Sequence, residues 1–268
     1  MAINTPLMNV MTAAARKAGK AIVRDFGELE KLQVSRKGIA DFVTKADTKA
    51  ERILHDELLR TRPHYSFVME EGGTVEGPDK THRWYIDPID GTTNFLHGVP
   101  HFAISIGLER EGHLVAGLVY NPVTDDLFTA EKGKGAWHND TRLRVSGRRE
   151  MGTALIATGI PNTGVSSAKR EEFSDELSRV MAEVAGVRRF GAAALDLAWV
   201  AAGRYDAFWE RGLSPWDVAA GIVIVREAGG LVSDLASEQD MLTSGSILAS
   251  NGHLHGALLK LFKARGRA

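Results

Sequence analysis

Two aspartates lie three residues apart where a strand-like stretch meets a turn. The stretch Arg83–Ile86 predicts a strand, and it leads into Asp87-Pro88-Ile89-Asp90-Gly91-Thr92-Thr93. Pro88 lacks an amide donor and is expected to stop the strand, while Gly91 permits a tight turn. Thr92 and Thr93 can cap a following helix and leave its first N–H groups facing forward. The segment therefore offers oxygen ligands for a cation beside amide donors for an anion, which suits a metal ion next to a phosphate.

The same residues are also ordinary turn signals. Asp-Pro and Asp-Gly occur in many loops, so the segment alone does not establish a metal site. Three other acidic positions strengthen the prediction: Glu70 follows an apolar strand, Asp217 opens a small-residue helix and Asp47 opens an earlier helix. Taken singly, an aspartate at a helix start is typical of a cap. A shared site therefore requires the fold to bring these positions together.

The composition is typical of a globular protein. The chain has 268 residues, of which 44% are hydrophobic and 25% charged, with a formal net charge of −1. This balance does not indicate nucleic-acid binding. The absence of cysteine excludes disulfides, thiolate zinc sites and a cysteine nucleophile. The N-terminus shows no signal-peptide pattern and no apolar run reaches membrane-spanning length, so we expect a cytoplasmic protein with no membrane partner.

Residue periodicity predicts two helices near the start of the chain and strands after them. Helical spacing runs from about Pro6 to Phe26 and from about Lys45 to Arg62, where Pro63 stops it. The second half alternates between the two kinds of element. With no linker or repeat, the pattern favours a single α+β domain over residues 1–268, with two packed sheets and helices on their outer faces. Its sub-halves would be about 1–150, with the larger antiparallel sheet, and about 151–268, with a smaller mixed sheet. Other predicted elements are strands at 102–108, 114–120, 155–158, 205–209, 231–234 and 247–249 and helices near 173–184, 192–203, 218–227 and 254–263.

The sequence resembles the inositol monophosphatase family over nearly its whole length. The resemblance is carried by Glu70-Glu71, by Asp87 to Phe95, and by Trp216 to Gly221 with Glu227-Ala228-Gly229-Gly230. Lys37-Gly38, Asp41 to Asp47 and residues 189–196 extend it. It is closest to bacterial members, including the extragenic-suppressor branch. It implies a layered αβαβα sandwich, a homodimer, and magnesium-dependent, lithium-sensitive hydrolysis of a small phosphorylated polyol such as inositol 1-phosphate, by direct attack of water.

The resemblance also implies roles for matching positions. Glu70, Asp87 and the Ile89 carbonyl would hold one metal, and Asp87, Asp90 and Asp217 a second, with two or three Mg²⁺ per site in all. The phosphate would be held by the backbone N–H groups of Gly91 and Thr92. The Thr92 hydroxyl, tied to Asp47, would help Glu70 activate water. Asp90, Glu210 and the backbone near Ala193 would contact the polyol.

Charge explains why such a pocket needs cations. Four carboxylates carry −4, and each like pair about 4 Å apart repels by about 4 kcal/mol at an effective dielectric near 20. Two divalent ions cancel that charge and allow a phosphate dianion to bind. Oxygen ligands without a nearby His or Cys favour Mg²⁺ over zinc or copper.

Several alternatives stay open at the level of sequence. Histidinol phosphate, adenosine 3′,5′-bisphosphate and fructose 1,6-bisphosphate are substrates of enzymes with similar metal motifs. Haloacid dehalogenase-type phosphatases also carry an Asp before Asp-Gly-Thr, but their aspartates are two residues apart and the first is a nucleophile. Members of the extragenic-suppressor branch also act in transcription and ribosomal RNA synthesis, so the chain could instead serve as an interaction partner there.

Overall fold

The computed structural model describes residues 5–28, 34–38, 41–161, 164–236 and 240–263, with the backbone alone for 34–38 and 41–44. The side chains of Lys37-Gly38 and Asp41–Thr44, which carry part of the resemblance, lie outside the described residues. No helix in the described ranges has both the length and the apolar character to cross a membrane. The helices of these ranges are α1 (Pro6–Phe26), α2 (Lys45–Thr61), α3 (Thr92–Leu96), α4 (Ser167–Met181), α5 (Ala193–Ala201), α6 (Pro215–Glu227), α7 (Met241–Ser244) and α8 (His255–Lys263).

The strands form a hairpin and two larger sheets. The hairpin pairs β1 (Val34–Gly38) with β2 (Asp41–Thr44). The larger sheet has the order β10-β9-β8-β7-β6-β5-β3-β4, and the smaller has the order β12-β11-β13-β15-β14. The remaining bounds are β3 (Ser66–Met69), β4 (Gly73–Val75), β5 (His82–Asp90), β6 (Ala103–Arg110), β7 (His113–Asn121), β8 (Asp126–Glu131), β9 (Gly135–His138), β10 (Thr141–Arg142), β11 (Leu155–Thr158), β12 (Gly186–Arg188), β13 (Ala207–Arg211), β14 (Leu231–Ser233) and β15 (Ser246–Ser250).

The elements stack in the order helix, sheet, helix, sheet, helix. The apolar faces of α1 and α2 cover one face of the larger sheet. Helices α5 and α6 fill the space between the two sheets and contribute most of the central core. Helices α4 and α8 cover the outer face of the smaller sheet. The αβαβα sandwich implied by the resemblance is therefore confirmed. The simpler expectation of two sheets in direct contact is wrong, because α5 and α6 separate them.

The first helix shows how local signals set an element. The Thr5 hydroxyl accepts a hydrogen bond from the Met8 N–H at 3.1 Å, and Pro6 occupies the first turn. Buried residues recur along one face, and the helix ends at Phe26, before Gly27. The predicted bounds of α1 are confirmed.

Pro88 does not end the strand that contains it, so that expectation is wrong. β5 continues to Asp90, but its register with β6 shifts: Asp87 pairs with Ser105, whereas Asp90 pairs with Ala103. The chain thus advances three residues on β5 where it advances two on β6, and this extra residue forms a β-bulge. The bulge accommodates a residue with no N–H to donate, so the strand can carry both aspartates to the sheet edge.

The turn after this strand also differs from the predicted capping. Gly91 is the N-cap of α3, in the left-handed region with φ 98°, and Thr92 is the first helical residue. The threonines therefore do not cap the helix. Glycine is the residue that adopts this conformation without a steric cost.

Glycines in the larger sheet allow α6 to lie very close to it. A Cβ on Gly107 would lie 2.7 Å from the Ala219 Cβ, and a Cβ on Gly117 would overlap the Ala220 carbonyl oxygen. Gly107 and Gly117 also face each other across β6 and β7. The position of α6 is therefore set by two strand positions that carry no side chain.

We predict that Gly117→Ala destabilises the protein by about 1–3 kcal/mol, because the added methyl group overpacks a tight helix–sheet contact. The free energy of unfolding in urea measures this. Gly147→Ala is the matched control, since nothing lies within 4 Å of a Cβ added at that position, and its effect should stay within about 0.5 kcal/mol. Equal effects of the two substitutions would contradict the close packing.

Candidate active site

Two acidic residues lie at the ends of neighbouring parallel strands. β3 and β5 run parallel, with Met69 opposite Ile86, and the Glu70 N–H donates to the Ile86 carbonyl at 3.2 Å. Glu70 and Asp87 therefore lie side by side near the same end of these two strands. The carboxyl ends of parallel strands are where open sheets commonly bind ligands.

Backbone amides fix the two aspartates of β5. The Ile89 N–H donates to Asp87 Oδ1 at 2.9 Å, and Asp87 is buried. Asp90 accepts the N–H of Ala193 on Oδ1 at 3.2 Å and that of Ala194 on Oδ2 at 2.7 Å. These donors belong to the first turn of α5, whose dipole favours a negative charge there. The Ala193 amide, expected to line the polyol pocket, is thus used to hold Asp90.

The helix between the sheets brings in a further carboxylate. Asp217 lies in the first turn of α6, where its Oδ2 accepts the Ser214 N–H at 2.8 Å. Burial raises the pKa of Asp217 and the neighbouring Asp87 side chain lowers it, so the two carboxyl groups lie near each other. The Ser105 hydroxyl donates to the Trp216 carbonyl at 3.0 Å and so ties this end of α6 to β6. Asp217 is thus both part of a helix cap and a member of the acidic group.

The carboxyl groups interact strongly enough to change their acidity. Burial raises the pKa of Asp87 well above its ordinary value, and the charges of Glu70, Asp90 and Asp217 raise it further. Burial raises the pKa of Asp90 to about 7, against the opposing effect of the Ala194 N–H. Burial and the charge of Asp90 raise the pKa of Asp217 to about 7. These four residues, predicted from distant parts of the sequence, therefore form one electrostatic cluster.

The Thr92 hydroxyl lies between an acid and a backbone carbonyl. Its Oγ1 is 3.4 Å from Asp47 Oδ1 and 3.2 Å from the Ile89 carbonyl oxygen. Asp47 is fully buried at the start of α2. A hydroxyl has one proton to donate, so either contact leaves the lone pairs of Thr92 available to accept a hydrogen bond.

A second acidic pair lies beside the first group. Burial raises the pKa of Glu210, at the end of β13, to about 8, and the charges of Asp90 and Asp217 add to this. Burial raises the pKa of Asp196 on α5 well above its ordinary value, with a further contribution from Glu210. Asp196 is 1% exposed, and its Oδ1 has no hydrogen-bond partner among the described residues. The positive charge of Arg189 lowers the pKa of both carboxyls, so this exposed arginine contributes to the electrostatics of the pocket.

A cavity of about 660 Å³ opens next to Glu210 and Asp217. This volume is in the range of small-molecule sites. Its walls combine the end of β11, the start of α6 and one side of α4, including Gly159, Ile160, Lys169 and Phe173. Through Asp217, the acidic cluster therefore adjoins a space large enough for a polar small molecule.

The oxygen donors of this site are compatible with a hydrated metal ion. In the described residues, no three or more His, Cys, Asp or Glu side chains are grouped so that they alone could hold an ion. Backbone oxygens such as the Ile89 carbonyl, water and substrate would have to complete the coordination. Mg²⁺ suits such a site, since it usually keeps several waters and takes only one or two carboxylates with substrate phosphate oxygens.

Sequence reasoning singles out most of these positions but misses two. Asp196 has no role assigned from sequence, although a buried aspartate three residues after Ala193 on a helix shares its side of the helix. Gly159 gives no signal, because its relation to Glu210 depends on the pairing of two strands distant in sequence.

Comparison with known proteins gives one consistent result. A sequence model of the inositol monophosphatase family matches residues 3–267. The inositol-1-monophosphatase of Mesorhizobium japonicum is 57% identical over 257 residues, 96% of each chain. The Nus factor SuhB of Pseudomonas aeruginosa is 45% identical, covering 95% of this chain and 94% of that protein. The crystal structure of extragenic suppressor protein suhB from Bartonella henselae has a TM-score of 0.94 at 53% identity, covering 97% and 99% of the two chains. This chain therefore belongs to the inositol monophosphatase family and is a phosphatase, a hydrolase of phosphoric monoesters.

Proposed function

We propose that the chain hydrolyses inositol 1-phosphate, or a closely related polyol phosphate, in a magnesium-dependent reaction. The observation that carries the proposal is the acidic cluster of Glu70, Asp87, Asp90 and Asp217 beside a cavity of about 660 Å³. Relatives that are 53–57% identical over at least 95% of this chain are inositol-1-monophosphatases.

The family is metal-dependent, and we assign the ion as Mg²⁺, with two or three per site. Glu70, Asp87 and the Ile89 carbonyl would hold one ion, and Asp87, Asp90 and Asp217 another. Because no three such side chains of the described residues are grouped to hold an ion alone, water and substrate oxygens would have to complete both sites. Bound there, Mg²⁺ supplies positive charge and Lewis acidity to the phosphoryl group and the reacting water. The raised pKa values of Asp87, Asp90 and Asp217 support this assignment, because cations relieve the repulsion that raises them.

The attacking water would be oriented by Thr92 and Glu70. If the Thr92 proton is donated to Asp47, at 3.4 Å, the Thr92 oxygen accepts a hydrogen bond from the water. Glu70, at the end of β3, is the carboxylate that would take the proton from that water. We propose direct attack by this water, with no aspartyl-phosphate intermediate.

The phosphate and the polyol would lie on opposite sides of Asp90. The backbone N–H groups of Gly91 and Thr92 at the turn into α3 would bind phosphate oxygens. Glu210 would accept hydrogen bonds from polyol hydroxyls, with Asp90 and the segment at Ala193 completing that wall. A carboxylate facing neighbouring hydroxyls favours a polyol over nucleotide or bisphosphate substrates. Histidinol phosphate and the bisphosphates remain alternatives inside the superfamily.

We further propose a cytoplasmic homodimer that lithium inhibits. These three properties are expectations that follow from membership of the family. No membrane partner is proposed.

Asp217→Asn should lower kcat/KM for inositol 1-phosphate by more than about 100-fold, because a residue that only orients a metal ligand can already contribute that much. Phosphate release is measured across a magnesium titration and a panel of phosphate monoesters. Asp56→Asn, with a side chain that is 66% exposed on α2, is the control and should retain activity. Wild-type rates for Asp217→Asn, or full activity of the native protein in a chelator, would contradict the proposal.

Stability without metal should fall as the pH rises. The folded pKa values of Asp90 and Asp217 are about 7 and that of Glu210 is about 8, whereas unfolded carboxyls titrate near ~4. Between these values the folded state binds more protons than the unfolded chain, so each such group destabilises the fold as the pH rises. Thermal unfolding in a chelator at pH 5 and pH 8 measures this.

Two controls isolate the carboxylate effect. Asp90→Asn should reduce the loss of stability between pH 5 and pH 8, because it removes one of the repelling charges. Magnesium should raise the unfolding temperature more at pH 8 than at pH 5. The native protein in chelator should lose more stability between pH 5 and pH 8 than Asp90→Asn does. Equal losses would show that these carboxyls are not coupled as described.

A second candidate function is a role in transcription, which relatives named Nus factor SuhB at 42–45% identity favour. If this is the main role, RNA polymerase and its factors should be recovered with the protein from native lysate. An inactive Asp87→Asn variant should recover them equally well. Recovery of none of these proteins by either form would leave hydrolysis as the only function.

A further inference from the structure

The carboxylate of Glu210 occupies the space that a side chain at Gly159 would fill. A Cβ built on Gly159 would overlap three atoms of Glu210, namely Cδ, Oε1 and Oε2. The overlap involves only the end of the Glu210 side chain, and no other atom is among the nearest three. The Glu210 carboxylate therefore lies directly against the backbone of Gly159.

Strand pairing produces this contact. β11 and β13 are parallel neighbours, with Ala157 opposite Phe208 and Thr158 opposite Trp209. The next pair in this register is Gly159 and Glu210. Side chains of neighbouring parallel strands at the same level point to the same side of the sheet. A residue larger than glycine would therefore compete with Glu210 for the same space.

The location of the contact makes it relevant to substrate. Gly159 and Glu210 both line the cavity of about 660 Å³, and Asp217 lies on the same wall. From this position the Glu210 carboxylate faces the space next to the acidic cluster. A shift of the Glu210 carboxylate by the diameter of a methyl group would change its position relative to the hydroxyl groups of a bound substrate.

Neighbouring charges do not fix the carboxylate by themselves. Asp90 and Asp217 repel Glu210, and exposed Arg189 is the cation that attracts it. The carboxylate is therefore repelled by the acidic cluster and packs directly against Gly159.

We propose that Gly159 is a positioning residue that sets the selectivity of the enzyme for polyol phosphates, by leaving room for the Glu210 carboxylate at the cavity wall. This inference rests on the proposed function, since it assigns to Glu210 the recognition of substrate hydroxyls. It adds a residue that acts through the space it leaves for another side chain.

The test compares two substrates with the same phosphate chemistry. Inositol 1-phosphate presents ring hydroxyls, whereas p-nitrophenyl phosphate presents none. In Gly159→Ala, the ratio of kcat/KM for the first over the second should fall by about 10- to 100-fold, the range expected when a hydrogen bond to a charged group is lost. The loss should appear mainly in KM. Gly152→Ala is the matched control, since nothing lies within 4 Å of its added Cβ, and its ratio should equal that of the wild type.

Coupling to Glu210 identifies the mechanism. Glu210→Gln should lower the ratio by a similar factor, and adding Gly159→Ala to it should lower the ratio no further. Glu210→Asp shortens the side chain and withdraws the carboxylate from Gly159, so Gly159→Ala should have little added effect in that background. Additive losses in either double variant, or an equal loss of both substrates in Gly159→Ala, would overturn the proposal.

Folding and structure provide readouts independent of substrate. If Gly159→Ala alone fails to fold, the double variant with Glu210→Asp should fold, because the overlap has been removed. A double variant that also fails would overturn the proposal. A crystal structure of Gly159→Ala should show the carboxylate displaced from β11, and an unmoved carboxylate would likewise overturn it. Wild-type enzyme that hydrolyses p-nitrophenyl phosphate but no polyol phosphate would refute the proposed substrate. It would not refute the conclusion that Gly159→Ala displaces the Glu210 carboxylate.

Discussion

Electrostatic repulsion among partly buried carboxylates is the constraint on which the rest of this structure depends. Asp87, Asp90 and Asp217 all have raised pKa values, with burial as the largest cause and the charges of neighbouring carboxylates, including Glu70, adding to it. Part of the compensation comes from the backbone. The N–H groups of Ile89, Ala194 and Ser214 donate to the three aspartates in turn, at 2.9, 2.7 and 2.8 Å. Amides cannot neutralise the cluster, so cations or protons must supply the remaining positive charge.

Parallel strand pairs in both sheets help to assemble the site. The larger sheet is mostly antiparallel, yet β3 and β5 are parallel, and their ends carry Glu70 and Asp87. The smaller sheet has a parallel pair in β11 and β13, where Gly159 follows β11 and Glu210 lies near the end of β13. Helix α6 lies between the sheets and presents Asp217 from its first turn. Each sheet thus contributes one parallel strand pair to the same site, and the helix layer joins them.

Local signals predicted the elements well, and long-range arrangement was harder to predict. The caps and periodicity of α1 gave its bounds, because they depend only on neighbours in sequence. The bulge at Pro88 and the contact of Glu210 with Gly159 were not predictable, because both depend on the register of a partner strand. The central helix layer had a readable signal. Residues 218–225 of α6 are all buried, and a helix that is apolar on every side lies between other layers.

The convergence of the proposed metal ligands could be expected only from the family resemblance. Spacing alone could not show that Glu70 and Asp217, 147 positions apart, meet in space. The charges predicted that clustered carboxylates would need cations, but they could not show that the carboxylates cluster. The structure supplies the missing step through the pairing of β3 with β5 and the docking of α6 on β6 and β7.

The close packing of α6 against the larger sheet is therefore required for the site as well as for the core. Asp217 precedes Ala219 and Ala220 by only two and three residues, and these alanines touch Gly107 and Gly117. Because a helix is stiff over one turn, a change in that contact moves Asp217 by a comparable distance. An acidic cluster tolerates such a shift poorly, since Coulomb energy depends on separation and a metal ion accepts only a narrow range of ligand distances. The absence of side chains at two strand positions thus controls the geometry of a carboxylate that neither of them touches.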